Sequence, residues 1–245
     1  MAKPIRFDRL DALRGVAIVW MTVYHFCFDL NYMGWIRQDF YHDPLWTWQR
    51  SAIVSLFLFC AGAGQAVALQ QGQSWPRFWK RWAQVAACAL VVSVVTYQTN
   101  AKTFIYFGVL HGIAVMLVIA RLTANWGVWL WPLGALAFAS KFIAASAISA
   151  SVNLQFLNER GFNILGWISK LPVTEDYVPI FPWLGVMLWG VAAAQWLLLR
   201  RRDVITGPIS PALRALAWLG TWSLTWYMLH QPVMIGAMRL IKLGG

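Results

Sequence analysis

Between Phe7 and Trp35 the chain reads FDRLDALRGVAIVWMTVYHFCFDLNYMGW, an apolar stretch that keeps Asp11 and Arg14 near its start and His25 and Asp29 near its end. An ionisable group at membrane depth costs several kcal/mol (roughly 3 on insertion scales) unless it faces a bundle interior, a partner or water, so such groups mark sites. His42 follows in the next polar segment, beside Asp43. A near-neutral imidazole suits proton transfer at physiological pH. His25 and Asp29 stand four apart, on one helix face, where the carboxylate could fix the ring's tautomer. Asp11 and Arg14 stand three apart. They fit either helix-end stabilisation with Arg14 snorkelling to the interface, or a pocket in which Arg14 meets an anion. His111 and His230 also fall in apolar runs, where a histidine either ties helices together or lines a site.

These groups sit in a chain of 245 residues that is 60% hydrophobic and only 12% charged, with mean hydropathy +0.56. Soluble domains carry about 25% charged residues, so the composition reads as an integral membrane protein, all-α, a polytopic helix bundle forming a single domain over residues 1–245. Many of the 17 tryptophans flank apolar runs, the place of interfacial indoles. The net charge of +11 is spread in short clusters between those runs. That is a topology signal and excludes a nucleic-acid footprint. Cys27, Cys60 and Cys88 lie in apolar segments without metal-type spacing and read as small core hydrophobes; no metal is expected. The first apolar run follows Asp8 and Asp11 and lacks a small-residue cleavage site, so no cleavable signal peptide is expected.

About 20 apolar residues cross the hydrocarbon core. Spans are expected near 10–30, 47–70, 78–98, 103–121, 126–148, 179–199 and 213–240, giving seven or eight transmembrane helices. The last contains Pro232 and reads as one kinked helix or a helix plus a short re-entrant piece. With the N-terminus in the cytoplasm, Lys3, Arg6, Arg9, Arg77, Lys80, Arg81, Arg121, Arg200, Arg201, Arg202 and Arg214 all fall inside, which the positive-inside rule favours. Asp39, Asp43, Glu159, Glu175 and Asp176 then fall outside. Arg239 and Lys242 break the rule unless a short eighth return brings them in. Two outer segments are long enough to hold a site, 31–46 and 149–178; the second suits a lid or an interfacial helix. Gly62, Gly64 and Gly112 permit close helix approach. The cluster RFWKRW, Arg77 to Trp82, reads first as a topology anchor and second as a grip for a phosphorylated cosubstrate.

Five segments in order, LDALRG at Leu10–Gly15, VYHFCFDLNYMGW at Val23–Trp35, FGVLHGIAV around His111, FPWLGVMLWG at Phe181–Gly190 and YMLHQPV around His230, resemble the small bacterial branch of the heparan-α-glucosaminide N-acetyltransferase catalytic-domain family. The resemblance implies an inner-membrane bundle that moves an acetyl group from cytosolic acetyl-CoA to an acceptor on the outer side: an amino sugar, a glycan, a lipid-linked sugar or another small amine or alcohol. In the family's lysosomal enzyme an asparagine at the end of the first span and a histidine in the next loop form the key polar pair. Aligned on LDALRG, the asparagine position falls on His25, a departure in residue type, and the loop histidine on His42. By this resemblance His42 is the favoured base, removing a proton from the acceptor as it attacks the thioester. His25 orients it or donates to the thioester oxygen, with Asp29 behind, and an acetyl-histidine is the less favoured route. Asp11, Arg14, Arg77, Lys80 and Arg81 become candidates for holding the CoA phosphates, while His111 and His230 are additional site-lining candidates. Partners would be acetyl-CoA, a carbohydrate-type or other small acceptor and the lipid bilayer, with a homodimer left open.

Two other classes compete. Buried histidines also suit a proton-coupled transporter or flippase, although no internal repeat is present. Haem ligation would need two histidines at similar depth on facing helices, which the expected span limits do not provide.

Overall fold

The computed structural model describes residues 7–244, so the orientation signals Lys3 and Arg6 lie outside the described residues. Among the described residues nine α-helices follow one another: α1 Asp8–Tyr32, α2 Pro44–Gln70, α3 Trp75–Thr99, α4 Val109–Thr123, α5 Leu130–Ala150, α6 Ile180–Arg200, α7 Asp203–Thr206, α8 Pro211–Thr221 and α9 Ser223–Gly244. Among the described residues there is no strand, only one isolated bridge between Phe107 and Tyr177. Five segments among the described residues are long and apolar enough to cross a membrane by length and composition: α1, α2, α3, the 42 residues Val109–Ala150, and α6. The protein is an all-helical membrane bundle, as its composition dictates.

The chain falls into two compact units, residues 1–57 with 201–245 and residues 58–200. Helix α2 runs through the boundary, giving its first half to one unit and its second half to the other.

In the first unit α1 is the central element and packs chiefly on α8, then on α9. Gly15 makes the close approach to α8: a Cβ there would collide with the Leu216 carbonyl. Gly220 answers it from α8, where a Cβ would strike the Asp11 carbonyl. With backbone rather than a flexible side chain in the way, neither clash is relieved by a rotamer change. Gly220→Ala is therefore expected to destabilise the unit by about 1–3 kcal/mol, the usual cost of overpacking. A lower melting temperature in detergent is the measurement; an unchanged melt would contradict the tight seam.

At the other end of α1, Met21, Tyr24, Phe40 and Ile53 form a core on which Trp20, Phe28, Trp46, Phe57 and Tyr227 pack. Phe40, 2% exposed, stacks on Trp46 and meets Tyr24 and Phe28 edge-on, which pins the 33–43 loop to α1 and α2.

In the second unit α5 packs on α6, and α4 on α3 and α6. Gly62 of α2 meets the Met187 backbone of α6, while Gly190 meets the Phe59 carbonyl, so the CAGAGQ glycine signal does mark a close approach. Indole N–H groups also tie these helices internally: Trp82 donates to the Ala114 carbonyl and Trp189 to that of Trp131. Arg121, a topology anchor by sequence, is 7% exposed, donates to the Gln73 carbonyl and lies over Trp75 and Phe78.

Three expectations need correction. The fourth helix begins at Val109 rather than 103, because Thr103–Gly108 form an irregular segment ending where the Asp176 carboxylate accepts from Val109 N–H. Beyond the end of α5 at Ala150, the segment 149–178 holds no α-helix. It has two short 3-10 turns, Val152–Asn158 and Asn163–Leu165, tied down by Asn158, which accepts from Ser169 and Lys170, and by Asn163, whose side chain and carbonyl accept from Tyr106 and Tyr177. Burial raises the phenol pKa values of Tyr106 and Tyr177, keeping both hydroxyls protonated as donors. The C-terminal span breaks at Trp222, not at Pro232, which lies inside α9. The Gly220 close approach commits α8 to α1 for its short length, and the chain restarts as α9.

Candidate active site

Helices α1 and α9 bring together three of the expected residues. The His25 and His230 rings lie 5.1 Å apart, centroid to centroid, and Gln231 donates from Nε2 to His25 Nδ1 at 2.8 Å. The Gln231 side chain also meets the Asp29 carboxyl. An amide nitrogen only donates, so His25 Nδ1 must accept and the ring carries its proton on Nε2. The tautomer of His25 is thus set by a glutamine from α9 and not by Asp29, its neighbour on the same helix face.

His230 has the opposite pattern. Its Nδ1 lies 2.8 Å from the Tyr227 carbonyl and 3.2 Å from that of Trp226. Carbonyls only accept, so Nδ1 carries the proton and Nε2 is bare. His230 is 7% exposed and its Nε2 is buried without a partner. Asp29 is 4% exposed, and its Oδ2 together with Gln231 Oε1 is also buried without a partner among the described residues. Three unfilled acceptors thus occur in one cluster, and an unsatisfied buried acceptor normally costs about 1–3 kcal/mol. Asp29→Asn keeps the shape and adds two donors that Gln231 Oε1 can accept. It is expected to raise thermal stability by roughly that amount. A melt no higher than wild type would show that the carboxylate is already satisfied.

His42 lies elsewhere in the same unit, on the loop pinned by Phe40. Its side chain is 84% exposed and its Nδ1 sits 3.0 Å from Asp39 Oδ2, while its backbone N–H donates to Asp39 Oδ1. Asp43, the nearer carboxylate in sequence, instead accepts from Leu45 N–H at the start of α2. An aspartate three residues back in a turn can reach forward to both the backbone and the ring. The Asp39 carboxyl is held below the ordinary carboxylate range, first by the His42 backbone N–H. The stability this contributes to the loop is present above the ordinary carboxylate pKa and lost as pH falls through the lower folded value. His42 amide protection, corrected for intrinsic exchange, should fall over that acidic window and become pH-independent in Asp39→Asn.

Asp11 and Arg14 form an ion pair at 2.7 Å near the start of α1, with 14% and 26% of their side chains exposed. In the second unit, Arg77, Lys80 and Arg81 are exposed on the first two turns of α3. His111 is fully engaged: Gly108 N–H donates to Nδ1, leaving an Nε2–H for the Ser93 hydroxyl, which passes its own proton toward the Ile105 carbonyl. This histidine caps the first turn of α4 and ties it to α3. Among the described residues no group of three or more His, Cys, Asp or Glu side chains is arranged to hold a metal.

Gln231 and Asp39 were not singled out by residue type. Glutamine does not titrate and Asp39 looked like one of several outer acids. The available signals were adjacency, Gln231 next to His230, and the i, i+3 turn spacing of Asp39 and His42.

The sequence matches the family described as heparan-alpha-glucosaminide N-acetyltransferase, catalytic, over residues 6–232. The chain belongs to that family. The match covers nearly all of the chain, crosses both structural units and takes in the His25 and His230 segments alike. Membership makes a membrane acetyltransferase the activity class. Nothing in the match bears on transport. No curated protein and no solved structure matches the chain.

Proposed function

We propose that this protein transfers an acetyl group from cytosolic acetyl-CoA to a small amine or alcohol on the outer side of a bacterial inner membrane, with an amino sugar, a glycan or a lipid-linked sugar as acceptor and the N-terminus in the cytoplasm. The observation that carries this reading is the His25–Gln231 contact at membrane depth in a chain of this family. A glutamine amide on Nδ1 leaves an Nε2–H donor fixed in direction. Preorganised donors of this kind stabilise the oxyanion that develops when a thioester carbonyl is attacked.

In this reading His25 Nε2–H holds the thioester oxygen. The exposed His42, its Nδ1–H held by Asp39, offers Nε2 as the base that takes a proton from the acceptor. Asp29 supports the cluster through Gln231. Arg14, paired with Asp11 in the first unit, supplies positive charge suited to the CoA phosphates; the exposed Arg77, Lys80 and Arg81 of the second unit carry charge of the same kind. His111 supports the fold of its own unit through its capping contacts.

The test is direct. Detergent-purified protein is given acetyl-CoA labelled in the acetyl group, with glucosamine as probe acceptor, and binding and labelled product are measured. Saturable binding of acetyl-CoA and acetyl transfer are expected. Absence of both, or proton-coupled uptake by protein reconstituted in vesicles without acetyl-CoA, would sink the proposal.

A further inference from the structure

We infer that His230 is a third catalytic histidine beside His25 and His42, the one that carries a proton from the attacking group to the departing sulfur. This rests on the acetyltransferase reading above. The side chain is buried, its Nδ1–H is committed to the Trp226 and Tyr227 carbonyls, and its bare Nε2 has no protein donor. Held by two carbonyls, the ring has one position at which to gain or lose a proton. Beside it, 5.1 Å away between centroids, His25 presents the complementary Nε2–H. One ring donates and its neighbour accepts, the pairing that acyl transfer requires around a carbonyl and a nucleophile.

The acceptor's N or O forms a bond to the thioester carbon, and the carbonyl electron pair moves onto oxygen, held by His25 Nε2–H. The proton released from the attacking N–H or O–H passes to His230 Nε2, giving an imidazolium. As the oxyanion collapses and the C–S bond breaks, that proton passes to sulfur, so CoA leaves as a neutral thiol and His230 returns to its starting form. An amine arrives carrying one proton more than an alcohol. That extra proton is the one His42 removes at its exposed position, so the two histidines handle different protons.

The test compares donors on the full chain in detergent, with glucosamine as probe acceptor. One donor is acetyl-CoA and the other is the acetyl thioester of a nitrothiophenol, whose acidic thiol leaves without protonation. His230→Gln is expected to retain acetyl-CoA binding, to lose on the order of 10²-fold in transfer from acetyl-CoA, and to lose clearly less with the aryl thioester, whose acceptor still gives up a proton but whose thiol leaves without one. Equal losses with both donors, or no loss with either, would overturn the assignment. Should the variant fail to fold, wild type alone decides. Across a series of acetyl thioesters of graded thiol acidity its rate should vary only weakly, and a steep dependence would overturn the inference. If wild type neither binds acetyl-CoA nor acetylates glucosamine from either donor, the acetyltransferase reading falls instead, and this inference with it.

Discussion

His25→Phe is expected to lower acetyl transfer by about 10²–10³-fold, the usual cost of removing one oxyanion donor, while acetyl-CoA binding changes little. Phenylalanine keeps a planar ring beside His230 and Tyr24, with which His25 now makes ring contacts, so the packing of α1 against α9 is largely retained. What disappears is the Nε2–H and the acceptor for Gln231. Because the lost interaction belongs to the transition state, kcat should fall while KM is nearly constant. A fall in acetyl-CoA affinity that matches the fall in turnover would show that the ring binds the ground state instead. Gln231→Leu removes the amide that selects the His25 tautomer. It should reproduce part of the same loss, since nothing would then hold the His25 proton on Nε2 or fix the direction of the ring.

His42→Ala is expected to lower transfer to an amine acceptor by about 10²-fold at neutral pH, within the range for general-base removal. Part of that loss should return as pH is raised toward the acceptor amine's own pKa, since a free amine no longer needs the base. The His42 side chain is 84% exposed and pairs with Asp39 on the surface of its loop, so the substitution should leave the melting temperature unchanged. A variant with full activity at neutral pH, or one whose defect does not respond to pH, would remove His42 from the reaction. Asp39→Asn should give a weaker effect of the same kind, because it releases the ring without removing it.

Much of the frame was legible in the residues. Apolar run length located α1, α2, α3 and α6 to within a few residues, because nothing but lipid-scale burial explains 20 or more such residues in a row. The helix ends were less legible. Residues 103–108 are apolar enough to extend α4, but capping by Asp176, 67 positions away from Val109, ends the helix at Val109, and a long-range contact leaves no local trace. Pro232 drew attention as a helix breaker, yet the break lies at Trp222, where the Gly220 contact with α1 decides the geometry.

The site was legible in its ionisable members and not in its wiring. His25, Asp29 and His230 are visible because charge-capable side chains in apolar runs are costly. That Gln231 connects them is a property of the α1–α9 packing, two elements some 200 positions apart in the chain. His111 carried the same sequence signal as His230, and only the hydrogen-bond partners separate them: both ring nitrogens of His111 are filled, and one of His230 is open.

The glycine seam between α1 and α8 gives the spacing of the first helix a meaning of its own. Gly15 fixes the rotational setting of α1 because only its bare face can lie against the Leu216 carbonyl. His25 follows ten residues later on the same rigid rod. Each residue of an α-helix turns the next by about 100° and advances it about 1.5 Å. Removing any one residue between Gly15 and His25 would thus swing the imidazole roughly a quarter turn away from Gln231. The helix works as a ruler whose zero is a glycine, and the count along it, rather than the composition between the marks, aims the histidine.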